Sequence, residues 1–336
     1  MLVAVIGLVA SACGGDEEEP QSTGPTATGG TATGATATGP TAETGGGAPE
    51  VSDITLGLLP IGDVAPVYIA ADQGMFEAEG LNVTIQLVQS GATAIPALIS
   101  GELDVTFGNY VSFFLANNEG LGLQIIAEQN RATPGFTSVL TLPDSGIEDA
   151  AGLEGHSVAV NALSNVLELT TRAQIADAGG DPDTVEFVEI PFPDMMAALE
   201  RGDVDAIVEV EPFVTISMGD LGAVEVANPY GGRLEGFPVA GFYVTGEFAA
   251  DNPNTIAAFQ RAMVSASQLA ASDPDQVVQI LPTYTPLTAD LAGVITQPEY
   301  VSEVDVSGLE VVVDLMVEFG MLPEAPDVSA LVIPTS

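Results

Sequence analysis

The chain has no lysine and no tryptophan, and it carries one cysteine (Cys13) and one histidine (His156) in 336 residues. Each scarcity closes off a kind of chemistry. Without lysine there is no amine for a Walker-type phosphate loop or for a Schiff base. One histidine and one cysteine supply too few soft ligands for a zinc site, which leaves only a carboxylate calcium site open. A single thiol cannot form a disulfide within the chain, so stability must come from a packed core. A Ser-His-Asp triad would have to use His156, which stands directly before a β-prone run and reads as structural, and no Gly-x-Ser-x-Gly elbow is present. The residues therefore point away from an enzyme and call for no cofactor.

Positive charge is equally scarce. Five arginines (Arg131, Arg172, Arg201, Arg233 and Arg261) face 47 acidic residues, for a formal net charge of -42. Such a surface repels nucleic acid phosphates and anionic lipid headgroups, which excludes nucleic acid partners. Most of the carboxylates read as a solvated coat. Their mutual repulsion is relieved where salt screens it, with a Debye length of about 3 Å at 1 M, and the composition points to a saline, halophilic habitat.

The chain opens on an uncharged apolar run from Leu2 to Ala12, which is too short to span a bilayer. Small residues at Ser11 and Ala12 precede Cys13, an arrangement that reads as a lipoprotein signal peptide over 1–12 with Cys13 as the lipidated residue. Two features depart from the usual pattern: Ala10 stands where a larger aliphatic residue is favoured, and no basic residue precedes the run. Residues 13–50 are rich in Gly, Thr and Ala and cycle through Thr-Ala-Thr-Gly units, the composition of a flexible linker. As a coil it would hold the following body about 30–35 Å from its anchor. Attachment to a membrane is expected through this lipid alone.

From Val51 onward β-like and helical runs alternate. Strands are expected at 54–59, 83–87, 105–107, 124–127, 138–140, 157–160, 185–188 and 206–208. A helix bearing Val67, Ala70, Ala71, Gly74 and Met75 on one face ends at Gly80, and one bearing Ile95, Leu98 and Ile99 ends at Gly101. Two later stripes, Ile256, Phe259, Met263, Ala266 and Ala270, and Leu309, Val312, Val313, Met316 and Val317, read as packing faces. This alternation predicts an α/β fold with largely parallel sheets.

In open parallel sheets, ligands bind beyond the carboxyl ends of strands. That rule selects Gly62 and Asp63 after the first strand, Ser90, Gly91, Ala92 and Thr93 after the second, Asn109 and Tyr110 after the third, and Asn161, Ser164 and Asn165 in the later half. Ser90-Gly91 and Ser164-Asn165 precede helices, so their backbone N–H groups suit an anionic group without any side-chain cation, or serve simply as helix caps. Asn109 and Tyr110 beside Phe113 would suit a flat hydrogen-bonding ring, or else pack as core. Arg131 would clamp a carboxylate or sulfonate, or pair with a surface acid.

A series of motifs then falls in a familiar order: Pro66-Val-Tyr-Ile-Ala70, Gly74-Met-Phe76, Glu79-Gly-Leu-Asn-Val83, Gly91-Ala92, Ala97-Leu98, Ser100-Gly-Glu-Leu-Asp-Val105, and Arg201-Gly-Asp-Val-Asp-Ala206 with Glu211-Pro212. In this order they resemble the solute-binding proteins of nitrate, sulfonate, taurine and thiamine-pyrimidine importers. The resemblance implies a two-lobed, type II periplasmic-binding-protein-like α/β fold. Each lobe would be a mostly parallel sheet flanked by helices, with a ligand cleft between them. Lobe 1 would comprise 51–138 and 243–336, lobe 2 would comprise 139–242, and the hinge would lie near 136–142 and 238–245. It further implies a lipid-anchored, extracytoplasmic monomer delivering a small organic solute (sulfonate- or taurine-like, or pyrimidine-like) or an oxyanion to an ABC permease with its ATPase subunits. Glu211 falls where the family has a Glu-Pro element near the cleft, where it would accept from an amine or else cap a helix. A ligand sensor serving a receptor is an alternative. A thiamine-pyrimidine synthase-like enzyme is a weaker one, since the cysteine-rich motif of that enzyme family is absent.

Overall fold

The computed structural model describes residues 47–301 and 303–335. Cys13, the signal-like run and nearly all of the linker lie outside these residues. Eleven strands follow in chain order: β1 (Asp53–Leu58), β2 (Asn82–Leu87), β3 (Val105–Asn109), β4 (Leu123–Arg131), β5 (Thr137–Thr141), β6 (Ser157–Val160), β7 (Glu186–Glu189), β8 (Ala206–Val210), β9 (Val224–Ala227), β10 (Pro238–Thr245) and β11 (Glu299–Tyr300).

They form two sheets, ordered β11-β4-β10-β3-β1-β2 and β7-β6-β8-β5-β9. In the first, β1 pairs in parallel with β2 and β3, while β10 runs antiparallel between β3 and β4. In the second, β6 pairs in parallel with β7 and β8, and β5 runs antiparallel between β8 and β9. Most strands of each sheet thus share one direction: β10 and the short edge strand β11 are reversed in the first and β5 in the second, and β10 and β5 are the strands the chain forms as it arrives from the other sheet.

This insertion places the crossings. The chain passes between sheets over 132–136 and again over 228–237, upstream of the segments expected from sequence. The β-prone stretches at 136–142 and 238–245, expected as hinges, are instead occupied by the reversed strands β5 and β10, each paired on both sides. Thr137 and Ser138 accordingly belong with the second sheet, and 238–242 with the first.

Apolar periodicity explains most of the packing. On the helix Pro253–Ser272, Ile256, Phe259, Met263, Ala266 and Ala270 are all buried, and Phe259 packs edge-on against Phe242 of β10. On Val306–Glu318, Leu309, Val312, Val313 and Met316 are buried, but Val317 is 37% exposed and falls off the stripe. Full burial of such side chains contributes about 1.5–3 kcal/mol each. The helix expected to run to Gly80 is broken: Ala65–Asp72 stops, Gly74 adopts φ +68°, and Met75–Ala78 begins anew. A left-handed residue cannot continue an α-helix, and glycine takes that conformation without steric penalty.

Candidate functional site

The carboxyl ends of the strands of both sheets meet around one cavity. The first sheet contributes Leu59, Ile61 and Asp63 after β1, Gly91 after β2, and Phe107, Gly108 and Asn109 at the end of β3. The second contributes Asn161 after β6, Asn165 with the helix it starts, Phe192 after β7, and Val210 at the end of β8. Tyr230, from the returning crossing, completes the wall. The space left is narrow, about 40 Å³ open to the centre of a water molecule, enough for about three waters on a scale where one takes roughly 10–15 Å³.

Of the helices that begin at this cavity, three are capped by their own side chains, while Phe192–Arg201 starts after Pro191 without one. Ser90 Oγ accepts from Thr93 N in a capping box, Asn109 Oδ1 accepts from Ser112 N, and Asn165 Oδ1 accepts from Glu168 N. Close approach needs small residues: a Cβ on Gly91 would lie 2.7 Å from the Gly108 Cα. Glycine at both positions lets the start of the helix Gly91–Ser100 press against the end of β3. Asn165 also donates through Nδ2 to Asn161 Oδ1 at 2.7 Å, which holds the two amides side by side.

Asp63 is the one acidic residue on the wall, and it is 2% exposed. Its carbonyl accepts from Gln129 Nε2 and its Oδ1 from Asn130 Nδ2, both at 2.9 Å, so the tail of β4 fixes it. Oδ2 is buried and has no hydrogen-bond partner among the described residues; neither has the Tyr230 hydroxyl. Burial pushes the Asp63 carboxyl up to about 7, because removal from water disfavours the charged form. Burial, with Asp63 nearby, also raises the Tyr230 phenol well above its ordinary range.

No cation offsets this acid. Arg131 pairs with Glu128 and Asp305, Arg172 with Glu168 and Asp183, Arg201 with Asp203, Arg233 with Asp177 and Glu318, and Arg261 with Glu79. His156 sits by Asp205 at the amino ends of β6 and β8, away from the carboxyl ends that wall the cavity. Every arginine is thereby engaged, and none lines the cavity.

Of the residues selected from sequence, Asp63, Gly91, Asn109, Asn161 and Asn165 line the cavity. The others do not, for separate reasons. Tyr110 is fully buried, with its hydroxyl packed at the backbone of Gly241, and Phe113 packs on Phe114 and Tyr243, so the ring-stacking pair is core. Ser90 and Thr93 are bound up in the capping box, Ala92 is half-buried in the same helix and off the wall, and Ser164 uses its N–H on Glu168 Oε2. Arg131 is consumed by its two acids. Glu211 is neither an amine acceptor on the cavity nor a simple cap: its backbone carbonyl accepts from Gly62 N at 2.8 Å, and its carboxylate accepts from Thr215 and from Thr296 N. Gly62 and Glu211 therefore clasp the two halves together. Reasoning from sequence selected the loop 60–63, which holds Ile61, but missed Leu59, Phe107, Phe192, Val210 and Tyr230. The first four of these sit at or near strand ends, where the same rule could have found them; Tyr230 lies in a crossing with no local signal.

Comparison with known proteins places this geometry. The model of the NMT1/THI5-like family matches residues 62–277, and the chain belongs to that family. It is 26% identical over 313 residues to the nitrate/nitrite binding protein NrtA of Synechococcus elongatus, covering 82% of this chain and 66% of that protein. It is 27% identical over 213 residues to the taurine-binding periplasmic protein of Escherichia coli, covering 62% and 64%. The chain thus spans just under two thirds of the length of these relatives. Among solved structures, the alkanesulfonate-binding protein SsuA of Xanthomonas axonopodis pv. citri bound to MOPS superposes with TM-score 0.73 at 17% identity, over 84% of this chain and 99% of that one. The fold is the two-lobed α/β fold of type II periplasmic binding proteins, as the motif order implied.

Proposed function

We propose that this protein is a solute-binding protein that delivers a small solute to an ABC permease driven by its ATPase subunits. The observation that carries this reading is the cavity walled by strand ends of both sheets, with only two chain crossings joining them. Two bodies so joined can hinge, and a solute touching both favours the closed arrangement that Gly62 and Glu211 clasp. The named substrates of the relatives, nitrate and taurine, support an importer role and do not decide the solute. Asp63, Gly91, Asn109, Asn161 and Asn165 are the proposed contacts. The relatives in hand are binding proteins, which supports the same non-enzymatic role here. Within this reading the chain is held outside the membrane as a monomer by lipid on Cys13, and its acidic coat suits a saline medium.

A thermal-shift screen of the full chain tests it, at high and low salt, against taurine, alkanesulfonates, nitrate, bicarbonate, thiamine and formylaminopyrimidines. A ligand that binds only the folded state raises the melting temperature once it exceeds its Kd. One saturable shift is expected; no shift with any compound would overturn the proposal.

A further inference from the structure

Asp63 lines the cavity, and its buried Oδ2 accepts from nothing among the described residues. Leaving such an atom unpaired costs about 1–3 kcal/mol, and more when it is charged. A solute can supply the missing donor. Once Asp63 is ionised, above about pH 7, an inorganic oxyanion cannot: it would bring a second negative charge against the carboxylate with no cation on the cavity wall.

The walls say what the rest of the solute is. Leu59, Ile61 and Phe192 line this cavity and also border a second space of about 230 Å³ between the two halves. That space is also walled by Pro60, Val88, Pro191 and Phe213 and is chiefly apolar, with Gln89 and Asp194 as its polar residues. Hydrocarbon fits there, and its burial adds about 0.8 kcal/mol for each CH₂ removed from water.

We infer that the cleft takes a small organic amine or amidine, whose N–H group pairs with Asp63 and whose apolar body lies against Leu59, Ile61 and Phe192. An acidic group elsewhere on the same solute is compatible with this arrangement, because the starts of the helices at Gly91 and Asn165 face the cavity and favour negative charge. The amine is the discriminating group. The inference rests on the solute-binding reading above and sharpens it.

Matched pairs test it. The full chain is titrated calorimetrically with taurine against ethanesulfonate, β-alanine against propionate, and 2-phenylethylamine against 2-phenylethanol, with nitrate as the inorganic anion. In at least one pair the amine-bearing member is expected to bind 30-fold or more tightly than its partner. Asp63→Asn keeps the oxygen that accepts from Asn130 and is expected to remove that preference, while a cooperative melting transition checks that the variant is folded. An amine-free partner or nitrate binding as well as the amines would overturn the inference and leave solute binding intact. So would Asp63→Asn leaving a folded protein with unchanged amine affinity. If no compound binds, the solute-binding reading falls, and the inference falls with it.

Discussion

Asp63 and Glu209 make an instructive pair. Both are carboxylates with at most 2% of their surface exposed, one just beyond β1 of the first sheet and the other within β8 of the second. Both leave oxygen without a hydrogen-bond partner among the described residues, and burial lifts Asp63 to about 7 and Glu209 to about 8. They differ in what lies in front of them. Asp63 opens onto a cavity and is held by Gln129 and Asn130, whereas Glu209 is off that cavity, with Glu211 as a charged neighbour that raises it further. The same unfavourable burial is therefore poised to be offset by a solute at one site and is simply carried at the other.

The strongest way to break the comparison is to neutralise each acid in turn and measure affinity. Asp63→Asn is expected to weaken amine binding 30-fold or more, which corresponds to about 2 kcal/mol, while Glu209→Gln leaves affinity unchanged. Equal losses would mean that both acids act through the fold.

Stability against pH comes next. A carboxyl whose folded pKa is raised holds its proton in the native state where the unfolded chain has lost it. Its contribution is complete below the unfolded value and is lost as pH rises through the folded one. For Glu209 that window runs from 4.5 to about 8, and for Asp63 from 3.8 to about 7. The solute-free protein is thus expected to lose stability from about pH 4.5 to 8, by about 1.4 kcal/mol per pH unit for each such group. Glu209→Gln should raise the melting temperature at pH 8.5 by the equivalent of more than about 1.4 kcal/mol and leave it nearly unchanged at pH 4.5. Chemical denaturation of wild type and variant at both pH values checks the sign.

Smaller effects sharpen the contrast between the cavity and the coat. Asn165→Ala removes a helix cap and the partner of Asn161, at about 1 kcal/mol, and denaturant midpoints would show it. Arg201→Ala breaks a pair whose side chains are 61% and 54% exposed, and is expected to stay within about 0.5 kcal/mol.

Much of the architecture was readable from residue order. β6 appears at its expected bounds, most other strands lie within two residues of theirs, and the long helix Pro253–Ser272 buries each residue of its stripe. The cavity was readable to the extent that strand ends define it: Asp63, Gly91, Asn109, Asn161 and Asn165 were selected on that ground alone. Tyr110 and Phe113 failed because an aromatic one turn beyond a strand end points into the core or the cleft according to the rotation of its helix, which local sequence leaves unspecified. Glu211 failed because its partners, Gly62 and Thr296, are distant in sequence.

The sequence by itself determined the chemistry available: no lysine amine, few cations, abundant carboxylates, and a periodicity that calls for an α/β fold with a largely parallel sheet. Charge counts and periodicity are local or additive properties, so they survive without coordinates. Only the tertiary structure decided which of many carboxylates is buried at a cavity, that every arginine is occupied elsewhere, and that the two β-prone stretches are reversed strands and not hinges. Those outcomes depend on contacts between residues far apart in the chain, where burial and pairing, and not residue type, set the energy.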